Sequence, residues 1–343
     1  MVAFGSSFGV PAPEVFGSNL YLKYKNLLLL DRNKLVQAHI LRYSLNTLKN
    51  HRNNFLKYAD FCSGRIFPID IGHLNSFLLT KAEEGKTYVS IKSFVNSVKF
   101  ISSFLGYDFP SESVTYNFLF FLRKLCNKTV RSERIGFQKK HLLQLYHDIS
   151  LNGGLSKLTP LELRSFMLLV FCYCTLARFD CAANIKLENV AFLTDYVHCK
   201  VPKSKTDQFG DGQKVFLVNL PELKTIHILA EYIFLLKLDS DEFFLFPTLK
   251  WDKMLKLWRP KKNKKLSYSA AYSGFKSLLK RFGMGGLPFS LHSPRIGGTT
   301  DAFQSGTPGY VIDKRGRWKN PNSKFVYAKD SDEHLANIVS SYV

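Results

Sequence analysis

A chain of 343 residues, 45% hydrophobic and 22% charged, is long enough for two folded domains and excludes a disordered protein. Its 48 Lys and Arg against 27 Asp and Glu give a net charge of +21, which favours a polyanionic partner, nucleic acid above all. Both halves share the excess, with 18 basic and 9 acidic residues before Gly136 and 30 and 18 from there on. The alternative is a basic soluble protein without a nucleic-acid partner.

The sequence indicates neither a zinc site nor a membrane span. The six cysteines form no CxxC pair and have no histidines at zinc spacing, so we expect reduced thiols in an intracellular compartment. The N-terminus lacks the basic and apolar regions of a signal peptide. The longest apolar run, Phe166 to Ala177, has about twelve residues and predicts a buried core helix, because a membrane helix needs about twenty.

The chain begins with a segment rich in Gly, Ser and Pro, and residues 1–32 are assigned to an N-terminal arm. Apolar residues then recur at helical spacing, which predicts an all-helical domain of four or five helices over 33–130. The residues expected on the buried helix faces are Leu48, Phe55, Tyr58, Cys62, Leu74, Phe77, Leu78, Ile91, Phe94, Val98, Ile101, Phe118, Leu119, Leu122 and Leu125.

A polar, basic segment at 131–140 is predicted to link this domain to a second one over 141–343. In the second domain, alternating residues flank the glycine-containing turn SKTDQFGDG and predict a β-hairpin over 196–218. Helices are expected near 138–150, 222–237, 267–282 and 291–304. The fold class expected is therefore α+β, mostly helical with one small antiparallel sheet.

The clearest helix start in the chain lies at Thr159. Thr159 and Glu162 have the spacing of a capping box, and Pro160 stands at the first helical position. The helix is predicted to run to about Ala177 and to bring Arg178 to its end.

The segment LHSPRIGG places His292 and Arg295 three residues apart, so both project from one face of a helical turn. Pro294 between them fits only in the first turn, where its missing N–H costs no hydrogen bond. Both side chains are thus expected at the positive end of a helix dipole, which suits a phosphate. Gly297 and Gly298 are expected to allow close helix packing. Taken alone, a His–Arg pair at this spacing more often consists of two surface residues without a shared function.

Four more residues accompany this pair in chain order: Arg178, Lys205, Trp318 and Tyr327. They lie in LARFD, KSKTDQFGDG and GRWKNPNSKFVYA, and Tyr327 follows Trp318 by nine residues. The ordered set resembles the catalytic set of the tyrosine recombinase (phage integrase) superfamily and is most similar to its eukaryotic mobile-element members. The resemblance covers the second domain, and the helical first domain resembles the core-binding domain with which this family clamps DNA.

These residue types suit the transfer of a DNA phosphodiester. The planar guanidinium groups of Arg178 and Arg295 can grip the two non-bridging oxygens on which negative charge concentrates. A tyrosine hydroxyl, with a pKa of about 10, is a poor nucleophile unless its proton is drawn off. His292 is the nearest candidate base for Tyr327.

Two further roles complete the predicted site. The indole N–H of Trp318 can donate to a phosphate oxygen, and its ring can pack against the arginines. The resemblance implies that Lys205 gives a proton to the leaving 5′-oxygen. Lys203 and Lys214 also lie in or beside the hairpin, but KTDQ at the turn resembles eukaryotic mobile-element recombinases, and this resemblance favours Lys205.

The expected activity is site-specific cleavage and rejoining of DNA through a 3′-phosphotyrosine, in the integration or excision of a mobile element. The covalent link conserves the bond energy, so neither a cofactor nor a metal is expected, and the sequence has no GxxxxGK[ST] phosphate loop. The partner is double-stranded DNA, and the resemblance implies a homotetramer on two synapsed sites. Localisation is expected in the nucleus if the host is eukaryotic, and in the cytoplasm if it is prokaryotic.

Several alternatives remain open. Many members of the family have an acidic residue three positions after the first arginine, where this chain has Cys181, and Asp180 lies one residue early. A catalytically silent DNA-binding protein is therefore one alternative. A type IB topoisomerase is another, although these enzymes generally have Lys in place of His292, and a helical RNA binder ranks last. Tyr310 and Tyr342 compete with the chosen nucleophile but are expected to be structural.

The basic segment WRPKKNKKLSYS, residues 258–269, has three possible interpretations. It can be a nuclear import signal, a strip that contacts phosphates, or a solvated basic loop.

Overall fold

The computed structural model describes residues 43–63, 66–110, 112–126, 135–202, 212–318 and Asn320. The chain forms two compact units, Met1–Arg131 and Ser132–Val343. The N-terminal arm predicted over 1–32, Lys205 and Tyr327 lie outside the described residues. No helix in the described ranges is long and apolar enough to cross a membrane.

The described part of the first unit contains four helices: Leu45–Phe61 (α1), Ile71–Glu83 (α2), Tyr88–Leu105 (α3) and Glu112–Cys126 (α4). Short polar side chains start three of them, since Ser44, Asp70 and Thr87 each accept a hydrogen bond from a first-turn backbone N–H. Gly106 ends α3 in the left-handed conformation at φ 82°, which glycine adopts without strain. The helical character predicted for this region is confirmed.

Aromatic rings fill the core of the first unit. Phe77 of α2 is fully buried and contacts Tyr58 and Phe94 edge-on, with ring centroids 5.4 Å apart in both pairs. The prediction that Leu125 is buried was wrong, because its side chain is 39% exposed. The buried stripe of α4 runs through Leu119 and Leu122 and continues to the half-buried Cys126 instead.

The described part of the second unit is mostly helical with two small sheets. Its helices are Lys139–Leu151 (α5), Pro160–Thr175 (α6), Phe179–Ala183 (α7), Thr225–Leu235 (α8), Tyr268–Arg281 (α9), Ser293–Gln304 (α10) and Gly309–Gly316 (α11). Its strands are Val190–Phe192 (β1), Tyr196–Val201 (β2), Gln213–Val218 (β3), Pro247–Asp252 (β4) and Leu257–Lys265 (β5).

Helix α6 is the centre of this unit. It begins with the predicted capping box between Thr159 and Glu162, and every residue from Glu162 to Thr175 is buried. The helix ends two residues earlier than predicted, because Leu176 takes the left-handed conformation at φ 51°. Arg178 therefore does not continue α6 but stands at the N-cap of the short helix α7.

The predicted hairpin is present as strands β2 and β3 of a three-stranded antiparallel sheet in the order β1-β2-β3. Cys199 at its centre pairs with Val190 on one side and Val215 on the other. The sequence predicted one sheet, and the structure adds a second, two-stranded sheet of β4 and β5. Its second strand occupies much of the basic segment 258–269, which is therefore a strand and not only a loop.

The predicted linker over 131–140 is partly built into the second unit. Phe137 has no exposed surface, and its backbone N–H donates to the carbonyl oxygen of Ser293 at 2.8 Å. Gly297 lies so close that a Cβ on it would stand 2.0 Å from the Phe137 carbonyl oxygen. The expectation that Gly297 and Gly298 serve close packing is confirmed, since a Cβ on Gly298 would meet the Tyr173 carbonyl oxygen at 2.5 Å.

Candidate active site

The His–Arg pair lies where the sequence placed it, at the start of a helix. His292 is the N-cap of α10, and Pro294 stands in the first turn. Arg295 follows in that turn and is completely buried, while His292 is half-buried. The helix is anchored farther along by Asp301, which accepts hydrogen bonds from the Tyr173 hydroxyl at 2.7 Å and from the Lys139 backbone N–H at 2.6 Å.

The Arg295 guanidinium connects three elements of the second unit. Its Nη2 donates to the carbonyl oxygen of Gly316 at 2.9 Å, and its Nη1 donates to that of Leu176. Its Cζ lies 4.3 Å from the centroid of the Trp318 ring, within the range of a cation–π interaction. The ends of α6 and α11 and the start of α10 are therefore joined by one buried cation.

The Trp318 side chain packs against the Arg295 guanidinium. This side chain is 8% exposed and lies in a small cluster with Leu176 and Ile312. Gly316 makes room for the indole, because a Cβ at this position would stand 1.7 Å from a carbon of the Trp318 ring. In the sequence Gly-Arg-Trp, the first residue must therefore be small because the ring of the third packs against it.

Arg178 is half-buried at the N-cap of α7, and the residues that follow it differ in exposure. Cys181, at the position where many tyrosine recombinases have an acidic residue, is buried at 3% exposure. Asp180 is exposed. Within the described ranges Arg178 forms no ion pair, so Asp180 does not provide the missing acidic partner.

Arg317 is a third arginine at this site, which the sequence analysis did not single out. Burial lowers the pKa of its guanidinium, the nearby Cys181 thiol opposes this, and the positive charge of Arg178 lowers the pKa further. Arg317 thus lies within electrostatic range of Arg178 and Cys181. The signal available in the sequence was its position next to Trp318 in the same tripeptide.

The same charges act on a neighbouring buried thiol. Burial raises the pKa of Cys172 to about 12, and nearby Cys181 adds to the increase, whereas Arg295 and Arg317 oppose it. The Cys172 thiol is therefore neutral at physiological pH.

The structure thus brings part of the predicted set together. Arg295 contacts Trp318, and His292 is the N-cap of the helix whose first turn holds Arg295. Arg178 lowers the pKa of Arg317, which precedes Trp318 in the chain. Lys205 and Tyr327 fall outside the described residues, so their predicted roles stay predictions. Of the competing residues, Lys214 lies on β3 opposite Lys200, and Tyr310 is 66% exposed on α11. The described residues contain no group of His, Cys, Asp and Glu that could hold a metal ion.

Comparison with solved structures identifies the fold. The XerH site-specific recombinase bound to a palindromic difH substrate is similar at a TM-score of 0.63 and 13% identity, over 87% of this chain and 80% of that one. This chain has the tyrosine recombinase fold. A lambda integrase dimer bound to a COC′ core site matches at a TM-score of 0.58 and 14% identity, over 87% and 76% of the two chains.

A third similar structure is the Tn1549 transposon integrase in complex with transposon right end DNA. It has a TM-score of 0.58 and 13% identity, and the match covers 90% of this chain and 98% of that one. No family model and no curated protein matches the sequence. The fold predicted from the catalytic motifs, mostly helical with a small antiparallel sheet, is confirmed for this chain.

Proposed function

We propose that this protein cuts and rejoins double-stranded DNA at specific sites through a covalent intermediate on Tyr327. The observation that carries the proposal is the buried guanidinium of Arg295, which is held by two carbonyl oxygens and the Trp318 ring on the first turn of α10. Burying a cation is costly, so a role for its charge in binding a ligand is favoured. Arg295 and Arg317 both act on the pKa of the buried Cys172 thiol, and two guanidinium groups in one region suit a phosphodiester.

In the proposed reaction the Tyr327 hydroxyl oxygen attacks the phosphorus, and the bond from phosphorus to the 5′-oxygen breaks. His292 accepts the phenol proton, and Lys205 donates a proton to the leaving 5′-oxygen. The products are a 3′-phosphotyrosine and a free 5′-hydroxyl. Rejoining is the reverse reaction: a 5′-hydroxyl attacks the phosphotyrosine and gives its proton to Lys205, while His292 returns a proton to the released Tyr327 oxygen.

Positive charge lowers the barrier of this reaction because the five-coordinate state carries more negative charge than the bound phosphodiester. Arg178 and Arg295 form the proposed clamp for the non-bridging oxygens, and Arg317 contributes a third charge. The carbonyls of Leu176 and Gly316 fix the plane of the Arg295 guanidinium, so little reorganisation is needed during the reaction.

The biological process that we propose is integration or excision of a mobile element. Four protomers would assemble on two synapsed sites, and the helical first domain over 33–130 would clamp the DNA. In a eukaryotic host the protein would act in the nucleus. The similar Tn1549 transposon integrase is in complex with transposon right end DNA, which supports DNA as the partner here as well.

The decisive test is capture of the covalent adduct. The full chain is incubated without metal with a pool of nicked suicide duplexes that carry randomised positions around the nick, and adducts are recovered under denaturing conditions. We expect an adduct that survives Tyr310→Phe and is abolished by Tyr327→Phe. An adduct that persists in Tyr327→Phe would refute the choice of nucleophile.

Two other functions are outcomes of the same experiment. Absence of any adduct from the pool, together with retained duplex binding, would favour a silent DNA-binding protein. Relaxation of supercoiled plasmid by the monomer, without strand exchange between two duplexes, would favour a type IB topoisomerase. Sequencing of the captured duplexes would identify the DNA site.

A further inference from the structure

The β4–β5 hairpin carries a large share of the positive charge of the protein. Residues 247–265 contain eight Lys and Arg and one Asp, a net charge of +7 in a chain whose total is +21. All eight basic side chains are exposed. This hairpin is separate from strands β2 and β3, between which Lys205 stands in the sequence.

Little of this charge is neutralised by the protein itself. Lys262 pairs with Glu242 at 2.6 Å, and Arg259 lies 3.6 Å from Asp252. In the part of the chain that the structure describes, five hairpin lysines form neither an ion pair nor a side-chain hydrogen bond: Lys250, Lys253, Lys256, Lys261 and Lys264.

The strand register places like charges against each other. Lys250 lies directly opposite Arg259, and Lys261 follows two residues later along β5. Like charges that face each other across a strand pair are destabilising. The stability of the hairpin therefore does not explain this pattern, whereas an external polyanion does.

The opposite face of the hairpin keeps it folded. Trp251 and Trp258 pair across the strands with their ring centroids 5.6 Å apart, and Leu249 is buried beside them. At the other end of β5, the backbone N–H of Asn263 donates to the Glu242 carbonyl oxygen at 2.8 Å. The lysines are thus presented on a folded ribbon and not on an extended linear peptide, which disfavours the nuclear import signal.

We propose that the β4–β5 hairpin binds the phosphates of duplex DNA away from the reacting phosphodiester, through the five lysines named above. This inference rests on the proposed function, because it takes duplex DNA as the substrate. A two-stranded ribbon has dimensions that fit along a DNA groove. Lysine side chains on phosphates supply affinity and salt dependence but carry no sequence information.

The experiment compares two variants of the full chain with equal net charge. The hairpin variant replaces the five lysines by glutamine: Lys250→Gln, Lys253→Gln, Lys256→Gln, Lys261→Gln and Lys264→Gln. The control variant replaces five exposed lysines elsewhere in the second unit: Lys140→Gln, Lys157→Gln, Lys224→Gln, Lys237→Gln and Lys280→Gln. Thermal unfolding verifies that both remain folded.

Binding to a fluorescent mixed-sequence duplex of about 30 base pairs is measured by anisotropy over a range of salt concentrations. Each lost phosphate contact reduces the magnitude of the slope of log K against log salt by about 0.9. In the hairpin variant the slope should therefore fall in magnitude by about 3 to 4.5, and binding should weaken at least about tenfold. In the control variant the same slope should fall in magnitude by less than about 1. Equal losses in both variants, or unchanged binding of the hairpin variant, would overturn the inference.

The adduct assay separates this inference from the proposed function. At saturating DNA, the hairpin variant should form the Tyr327 adduct at the rate of the unmodified chain, since its lysines lie outside the reacting group. If the hairpin variant forms the adduct and its DNA binding keeps the salt dependence of the unmodified chain, only the proposed role of the hairpin is refuted. Weakened binding of the hairpin variant without any adduct in either protein would refute the cleavage activity and leave the DNA-binding ribbon standing.

Discussion

Replacement of Arg295 by lysine tests whether the geometry of this cation, and not only its charge, is needed. The guanidinium donates to two carbonyl oxygens on different elements, those of Leu176 and Gly316, and lies over the Trp318 ring. A lysine ammonium keeps the charge but cannot match the planar fork. It can reach one of the two carbonyls and leaves the other buried without a donor.

The expected loss of stability follows from these contacts. A hydrogen bond to a charged group contributes about 1.5–3 kcal/mol, and a partly buried cation–π contact about 1 kcal/mol. Arg295→Lys should therefore destabilise the second unit by about 2–4 kcal/mol. Because the guanidinium plane is also part of the proposed clamp, cleavage should fall by at least about a hundredfold, at a cost of about 2.7 kcal/mol in the transition state.

Arg164 provides the matched control. It is buried at 2% exposure, donates from Nη1 to the Pro247 carbonyl oxygen at 2.8 Å, and its pKa is lowered by burial. Arg164→Lys should cost about 1.5–3 kcal/mol in urea unfolding but leave the rate of adduct formation unchanged below the unfolding transition. The reasoning would be refuted if Arg295→Lys cleaved at the normal rate, or if both variants lost cleavage equally.

Three further predictions concern single side chains. Gly316→Ala should displace the Trp318 ring and cost about 1–3 kcal/mol, whereas Gly286→Ala, which has open space around its Cβ, should be neutral in the same urea titration. Burial lowers the pKa of His141 below 6.5 in the folded protein, so as the pH falls His141 is protonated at a higher pH in the unfolded chain than in the folded one. Stability should therefore decrease as the pH falls from about 7.5 to 5.5. His141→Gln should reduce that pH dependence, and an unchanged slope would contradict it. Arg317→Gln should slow adduct formation by more than tenfold while shifting the urea midpoint little, and normal cleavage by this variant would exclude Arg317 from the site.

Local sequence patterns were sufficient for much of the fold. The capping box of Thr159 and Glu162 predicted the start of α6 to the residue, because a cap depends on side chains within one turn. The first-turn position of Pro294 likewise placed His292 and Arg295 at the start of a helix. The buried stripe of α4 was misplaced at Leu125, since neighbouring apolar residues fit two adjacent stripes equally well.

The motifs that carry the proposed chemistry were also visible in the sequence, because their order and spacing are properties of the chain. What the sequence could not decide is which atoms meet. The Nη1 and Nη2 groups of Arg295 find their partners in residues 119 and 21 positions away in the chain, at Leu176 and Gly316. The place of Arg317 within electrostatic range of Arg178 and Cys181 is equally a result of packing between distant segments.

The charge of the protein shows the same division. Composition alone determined that the chain is strongly basic and favoured a polyanionic partner. Only the tertiary structure decided that a third of the net charge lies on one folded hairpin, with Lys250 facing Arg259 across the strands. The physical reason is that composition fixes the amount of charge, whereas strand register and packing fix which charges share a face and which remain without an internal partner.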